Sequence, residues 1–247
     1  QGESAQWNTD NNAWFGSLSD INIASGYWLG VVEPDTVQVC GYSFNPDRIY
    51  NFQSPGSNLI SFPVPWCVPV EDAIPDEIQL YLQNQSNDSF ASNFFIGEGQ
   101  ASVLMDYEWI GSLENLCGAK GYWASVSSEV SFIFVTGDQS ERDVGQLTRE
   151  LADSPIEKYP EGFVYPQSSQ QSFFIIDEID RNEDVSLDDS WILSYCNYNL
   201  AGARKWSDEM LDIPIMGYNG TPETKGLCEP GDIPQLKLLT ANGDLMI

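Results

Sequence analysis

Carboxylates dominate the reactive groups of this chain. Its 247 residues carry 37 acidic and 10 basic side chains and no His, a formal charge of −27. Without imidazole there is no Ser-His-Asp or Cys-His relay, no His-ligated zinc and no ordinary near-neutral base. What remains is chemistry by paired acids, or by oxygen ligands around a hard cation. The adjacent pairs Asp177/Glu178 and Asp188/Asp189 fail the first use. Neighbouring residues on a strand point to opposite faces, so neither pair can flank one bond. Gly-rich phosphate loops and HExxH or GxSxG motifs are absent. The chain therefore reads as non-enzymatic.

The run Asp180–Trp191, "DRNEDVSLDDSW", sets oxygens at alternating positions: Asp180, Asn182, Asp184, Ser186 and Asp188. An EF-hand needs Gly at its sixth place and a bidentate Glu at its twelfth. Val185 and Trp191 stand there, and both flanks read as strands, so an EF-hand is excluded. A different calcium site on Asp180, Asn182, Asp184 and Asp188 stays open beside the plainer reading, a solvated acidic loop. No cofactor is expected apart from calcium at that site.

The charge balance also selects partners. Nucleic acid is held by Lys and Arg on phosphates, and this chain has too few. Anionic membrane surfaces are disfavoured for the same reason, and no apolar run is long enough to span a bilayer. Strong acidity suits solubility in high salt. Five cysteines, Cys40, Cys67, Cys117, Cys196 and Cys228, show no CxxC spacing, which argues against zinc ribbons and thioredoxin-like chemistry. Extracellular disulfides are open to the chain. Cys67–Cys117 would fall inside the second repeat described next and Cys196–Cys228 inside the last domain, with Cys40 left over.

The elements that position these residues begin with a duplication. "WFGSLSDINIASGYW" (Trp14–Trp28) and "WIGSLENLCGAKGYW" (Trp109–Trp123) align at a constant offset of 95 with eight identities in fifteen positions. The shared residues are mostly Trp, Gly and Tyr. Gly26 and Gly121 each precede Tyr-Trp, so a tight turn feeds a strand. "YWASVSSEVSFIFV" alternates after a break at Ser127-Ser128, which predicts a hairpin with one buried face. "SPGSNLISFPVPW" (Ser54–Trp66) reads as turn, strand, then Pro punctuation. Residues 76–83 fit a short helix or an alternating strand. Residues 42–137 thus form one complete β-repeat, and residues 1–41 hold the closing half of another. Gln1 stands directly against that half, as expected of a piece of something longer.

Residues 138–157 are polar and charged and read as a linker. From residue 158 short strands return with frequent turn signals: "QQSFFIIDEI", "SWILSYCN", "AGARKW", "DIPIMGYNGT", and "IPQLKLLTANGDLMI" around an Asn-Gly-Asp turn. That spacing argues for an antiparallel β-sandwich. The fold class is all-β: one partial and one complete repeat followed by a sandwich.

Two resemblances follow. "PGSNLISFPV" with "WIGSLENLCGAKGYW" resembles the GWNLISxPV…GKGYW repeat of large extracellular proteins of marine bacteria and of structural proteins of marine phages, including those infecting cyanobacteria. Asn58, Leu59, Ile60, Ser61, Pro63, Gly121, Tyr122 and Trp123 fit, whereas Ser57 stands at a usual Trp. "DDSW", "AGARKW", "DIPIMGYNGT" and "GDIPQLK" resemble a module near the ends of secreted marine bacterial proteins. Asp188, Asp189, Trp191, Gly202, Ala203, Arg204, Trp206, Asp212, Pro214, Met216 and Gly217 match it, whereas Leu200 stands at that module's Cys. The resemblances imply these modules and say almost nothing about activity, with no catalytic role implied. The half-repeat at Gln1 and the tandem layout are what point to an extracellular or virion-surface protein of assembly, display or adhesion.

The repeated aromatics Trp14, Tyr27, Trp28, Trp109, Tyr122 and Trp123 are expected to fill cores, since each copy must rebuild the same unit. In each Tyr-Trp pair one ring faces outward and is the candidate for partner contact. The expected partners are other copies of the chain or other structural subunits. The alternative is a calcium-assisted glycan-binding module in which outward Trp and Tyr stack on sugars at a cell surface.

Overall fold

The computed structural model describes residues 3–31, 45–86, 93–137, 160–180, 186–207 and 209–246. Cys40, Asn182, Asp184 and the expected linker 138–157 lie outside them. The described chain is mostly strand, with two helices and one 3-10 turn.

Strands β1 (Ala5–Asn8) and β2 (Ala13–Gly16) form an antiparallel ribbon. Then come β3 (Ile49–Phe52), β4 (Ser57–Ser61), β5 (Cys67–Pro69), helices α1 (Val70–Ala73) and α2 (Asp76–Gln85), and β6 (Phe94–Ile96). Next are β7 (Ala101–Met105), β8 (Glu108–Ile110), β9 (Asn115–Cys117), β10 (Gly121–Ser125) and β11 (Val130–Ile133). Five of these form one sheet in the order β4-β10-β6-β7-β8, while β3–β11 and β5–β9 are separate pairs. Residues 76–83 are helical. Pro75 precedes the first turn, Asp76 and Glu77 sit where the helix dipole favours acids, and Ile78 and Leu82 turn one face inward.

The hairpin expected over 122–135 does not form. β10 pairs with β4 and β6, whereas β11 pairs with β3 in another sheet. Both strands still bury one face, because the two sheets close on one core. Phe134 sits at its centre, with Phe132 at 5.0 Å, Tyr50 at 4.9 Å and Phe62 at 5.4 Å, all edge-on. Edge-to-face geometry puts the positive ring edge against the negative face. The disulfide Cys67–Cys117 joins directly opposed residues of β5 and β9.

The second core belongs to β12 (Gln171–Ile176), β13 (Trp191–Cys196), β14 (Asn199–Lys205), β15 (Leu211–Met216), β16 (Gln235–Leu239) and β17 (Leu245–Met246). The sheet order is β14-β13-β16-β17, and β12 pairs with β15. Gly202 lets this sheet approach β15, because a Cβ there would collide with the Pro214 carbonyl. Ser194 Oγ donates to the same carbonyl at 2.7 Å. Cys196–Cys228 is a disulfide.

One buried ion pair joins the two cores. Asp212 is fully buried in β15, and Arg204 of β14 donates to its carboxylate at 2.8 Å and to its carbonyl at 2.9 Å. The same carboxylate accepts from the Ser112 N–H at 2.6 Å, the Ser112 hydroxyl at 3.0 Å and the Ala101 N–H at 3.3 Å. Arg204 also reaches the Gly99 carbonyl at 2.8 Å. Burial pushes the Asp212 carboxyl above its ordinary range, and Arg204 and Ser112 pull against that shift. Removing one member of such a pair strands its partners, at about 3–5 kcal/mol. Asp212→Ala is expected to lower the unfolding free energy measured in urea by that amount, with a matching fall in the midpoint, and Arg204→Met combined with Asp212→Leu to recover part of it. An unchanged midpoint for Asp212→Ala would show that the pair does not brace the two cores.

Candidate functional site

The stretches leading into the two Gly-Tyr-Trp segments share several contacts, although 121–125 is the strand β10 and 26–31 is not a strand. Leu18 N–H donates to the Ser4 carbonyl at 3.1 Å, and Leu113 N–H to the Ala101 carbonyl at 2.9 Å. Gly16 and Gly111 both hold positive φ, and each presses where a Cβ would strike that same carbonyl, Ser4 or Ala101. Trp14 lies across its ribbon from Trp7, and Trp109 across from Leu104. The Tyr27 hydroxyl accepts from the Asn22 N–H at 2.6 Å, and the Tyr122 hydroxyl from the Cys117 N–H at 2.8 Å, five residues back in both cases.

Burial separates them. Tyr122 is 1 % exposed and Tyr27 39 %; Leu116 is 0 % exposed and its counterpart Ile21 79 %; Val126 is 5 % exposed and Val31 59 %. Ala124 is sealed, whereas Leu29 at the same register is open. Trp109 is half-buried on Phe95, centroids 5.6 Å apart, with its Nε1 donating to Gln79 at 2.9 Å. Trp14 is exposed and touches only the exposed Trp7 ring among the aromatic pairs of the described residues. Trp123 is half-buried between its cross-strand partners Leu59 and Ile96, whereas Trp28 is exposed.

The expectation of core packing with one outward ring in each Tyr-Trp pair is met by Tyr122 and in part by Trp109 and Trp123, whereas Trp14 is exposed and both rings of Tyr27-Trp28 are exposed. The cause lies in their neighbours. Tyr122 is covered because β10 lies inside a five-stranded sheet whose face packs on the shared core, whereas residues 27–31 pair with no strand among the described residues. The amino-terminal segment meets β4 at a bridge between Ser25 and Ile60, where Gly26 N–H donates to the Leu59 carbonyl, Ser61 N–H to the Ala24 carbonyl and the Ser61 hydroxyl to the Ile23 carbonyl. The result is a run of exposed apolar side chains at Ile21, Tyr27, Trp28, Leu29 and Val31. The sequence singled out Tyr27 and Trp28 but not Ile21, Leu29 and Val31. Their signal was present: each stands 95 residues before a core position of the complete copy.

The acidic candidates do not converge. Asp188 Oδ2 accepts from the Ser186 hydroxyl at 3.0 Å, and Asp189 pairs with Lys205 at 2.8 Å. Asp180 is described, but Asn182 and Asp184 are not, and no cluster of three acidic or Cys ligands is arranged for a metal among the described residues. Glu71, Glu114 and Trp109 share a shallow groove of about 320 Å³ with Ser102 and Asn115. Neither sequence-adjacent acid pair lines it.

Compared with protein-family models, curated proteins and solved structures, the chain matches none. The described residues contain no helix long and apolar enough to cross a membrane. The two disulfides are compatible with an extracellular protein.

Burial pushes the Tyr122 phenol up to about 12, against a smaller downward pull from the Cys117 backbone. The unfolded value is 10.0, so this stability is complete below pH 10 and is lost as pH rises toward about 12. Two pH units correspond to about 3 kcal/mol. Tyr50 and Tyr165 are raised by burial as well, so the whole chain loses more than this in alkali. Tyr122→Phe is expected to flatten the alkaline loss by about 3 kcal/mol in urea titrations between pH 9 and 12. Identical slopes for the two proteins would contradict the burial of that hydroxyl.

Proposed function

We propose that this chain is a non-enzymatic extracellular or virion-surface structural protein that acts through subunit assembly or surface attachment. Residues 1–41 are read as the closing half of a β-module, 42–137 as a complete copy, and 158–247 as a β-sandwich. The recurring Leu18/Leu113, Gly16/Gly111 and Tyr27/Tyr122 contacts support the modular part of this reading. The disulfides support an oxidising location.

The contrast between covered and uncovered copies carries the functional part. One β-unit hides Leu116, Tyr122, Ala124 and Val126, while the equivalent Ile21, Tyr27, Leu29 and Val31 face outward. A half-unit cannot bury its own apolar face. It gains by meeting another protein surface, either a further copy of the chain or a different structural subunit.

Purified chain is expected to self-associate weakly through this face in the micromolar range. Association should strengthen with salt, because screening relieves the repulsion of a −27 charge. Trp28→Asp with Leu29→Asp should leave it monomeric at unchanged urea midpoint, since exposed substitutions cost little. Sedimentation velocity reads both effects. A wild-type chain that stays monomeric at every salt concentration, or a variant that associates equally, would overturn assembly through this face.

A further inference from the structure

The complete copy shows what covers the positions that the partial copy leaves open. Strand β10 is covered on one edge by β4, in the register Tyr122 to Ile60, Trp123 to Leu59 and Ala124 to Asn58. Asn58 anchors that strand: its side chain donates to the Gln53 and Ala124 carbonyls and accepts from the Gln53 N–H. Ile60 is buried beside Tyr122 in the core. Moved back by 95 residues, the same register would set Ile against Tyr27, Leu against Trp28 and Asn against Leu29.

The chain's own β4 is not available for this. One of its edges holds β10, and the other is bridged to Ser25 at Ile60. A second copy of the chain holds its β4 in the same way. A free strand of the same pattern is needed, and it must come from elsewhere.

We propose that residues 26–30 accept a donated β-strand from another subunit, one reading Asn-Leu-Ile-Ser-x-Pro-Val, which closes the face of Ile21, Tyr27, Trp28, Leu29 and Val31. This deepens the assembly reading and rests on it. The occupant follows from the internal copy, because the residues 95 positions later pair edge to edge with that strand before their face packs on the core. Strand addition draws affinity from main-chain hydrogen bonds and specificity from alternate side chains. Here the edge beyond Gly26 supplies the bonds, and Tyr27 and Leu29 on one face with Trp28 on the other supply the choice.

The test adds a synthetic peptide of residues 53–64 (QSPGSNLISFPV) to the intact chain and follows amide exchange by mass spectrometry. Exchange of amides 26–31 is expected to slow by about tenfold at saturation, an effect that corresponds to about 1.4 kcal/mol. A peptide carrying Leu59→Asp and Ile60→Asp should give no protection. Unchanged exchange, equal protection by the control peptide, or protection seen only where the peptide displaces β4 from β10 would each overturn strand donation. Lost protection with Trp28-dependent self-association intact removes the donated strand alone. Protection without any self-association removes the contact between copies and leaves the donated strand standing.

Discussion

A β-strand presents two demands at once: apolar side chains on a face must leave water, and N–H and C=O groups along each edge must find partners. In residues 121–125 β4 and β6 meet the edge demand and the core packed on the sheet meets the apolar one. In residues 26–30 the first bond is made, at Gly26, and then the pairing stops. Everything proposed for function follows from that difference. The two segments share sequence, turn geometry and the tyrosine bond to the residue five back, so their surroundings and not their own chemistry set their exposure.

The rest of the molecule is built to hold still. The aromatic core around Phe134 ties β3, β6 and β11 together, and two disulfides lock one strand pair and one loop. Asp212 and Arg204 carry this order from one core to the other, and they do so through backbone groups of Gly99, Ala101 and Ser112. A buried charge pair is a poor source of net stability but a strict one in geometry, since every oxygen must meet its donor. Such a joint suits a structural part whose two cores must keep a fixed relation. The large negative charge of the surface then acts between molecules, keeping uncovered faces apart at low salt.

The strand-rich character was legible in alternation and turn signals, and the duplication in the fixed offset of Trp, Gly and Tyr. The neighbours of each strand were not. Alternation in 122–135 says that one face is buried, but not that β10 seeks Ile60 and Phe95 while β11 seeks Tyr50. Residues 76–83 fitted two periods, and Pro75 with Asp76 and Glu77 decided for helix. In the sequence Asp212 and Arg204 mark only a match to a module, because the partners of Asp212, Ala101 and Ser112, are about a hundred residues away. The exposed face was hidden for a related reason. Tyr and Trp in a repeat read as core, and they are core only where a covering strand exists.

The most direct measurement is hydroxyl-radical footprinting of the monomeric chain, read by mass spectrometry at each aromatic of the two segments. With the amino-terminal segment open and Tyr122 sealed, Tyr27 oxidises several-fold faster than Tyr122, and Trp28 faster than the half-buried Trp123. Equal rates at the paired positions would mean that both copies are covered alike, and the uncovered face would not exist.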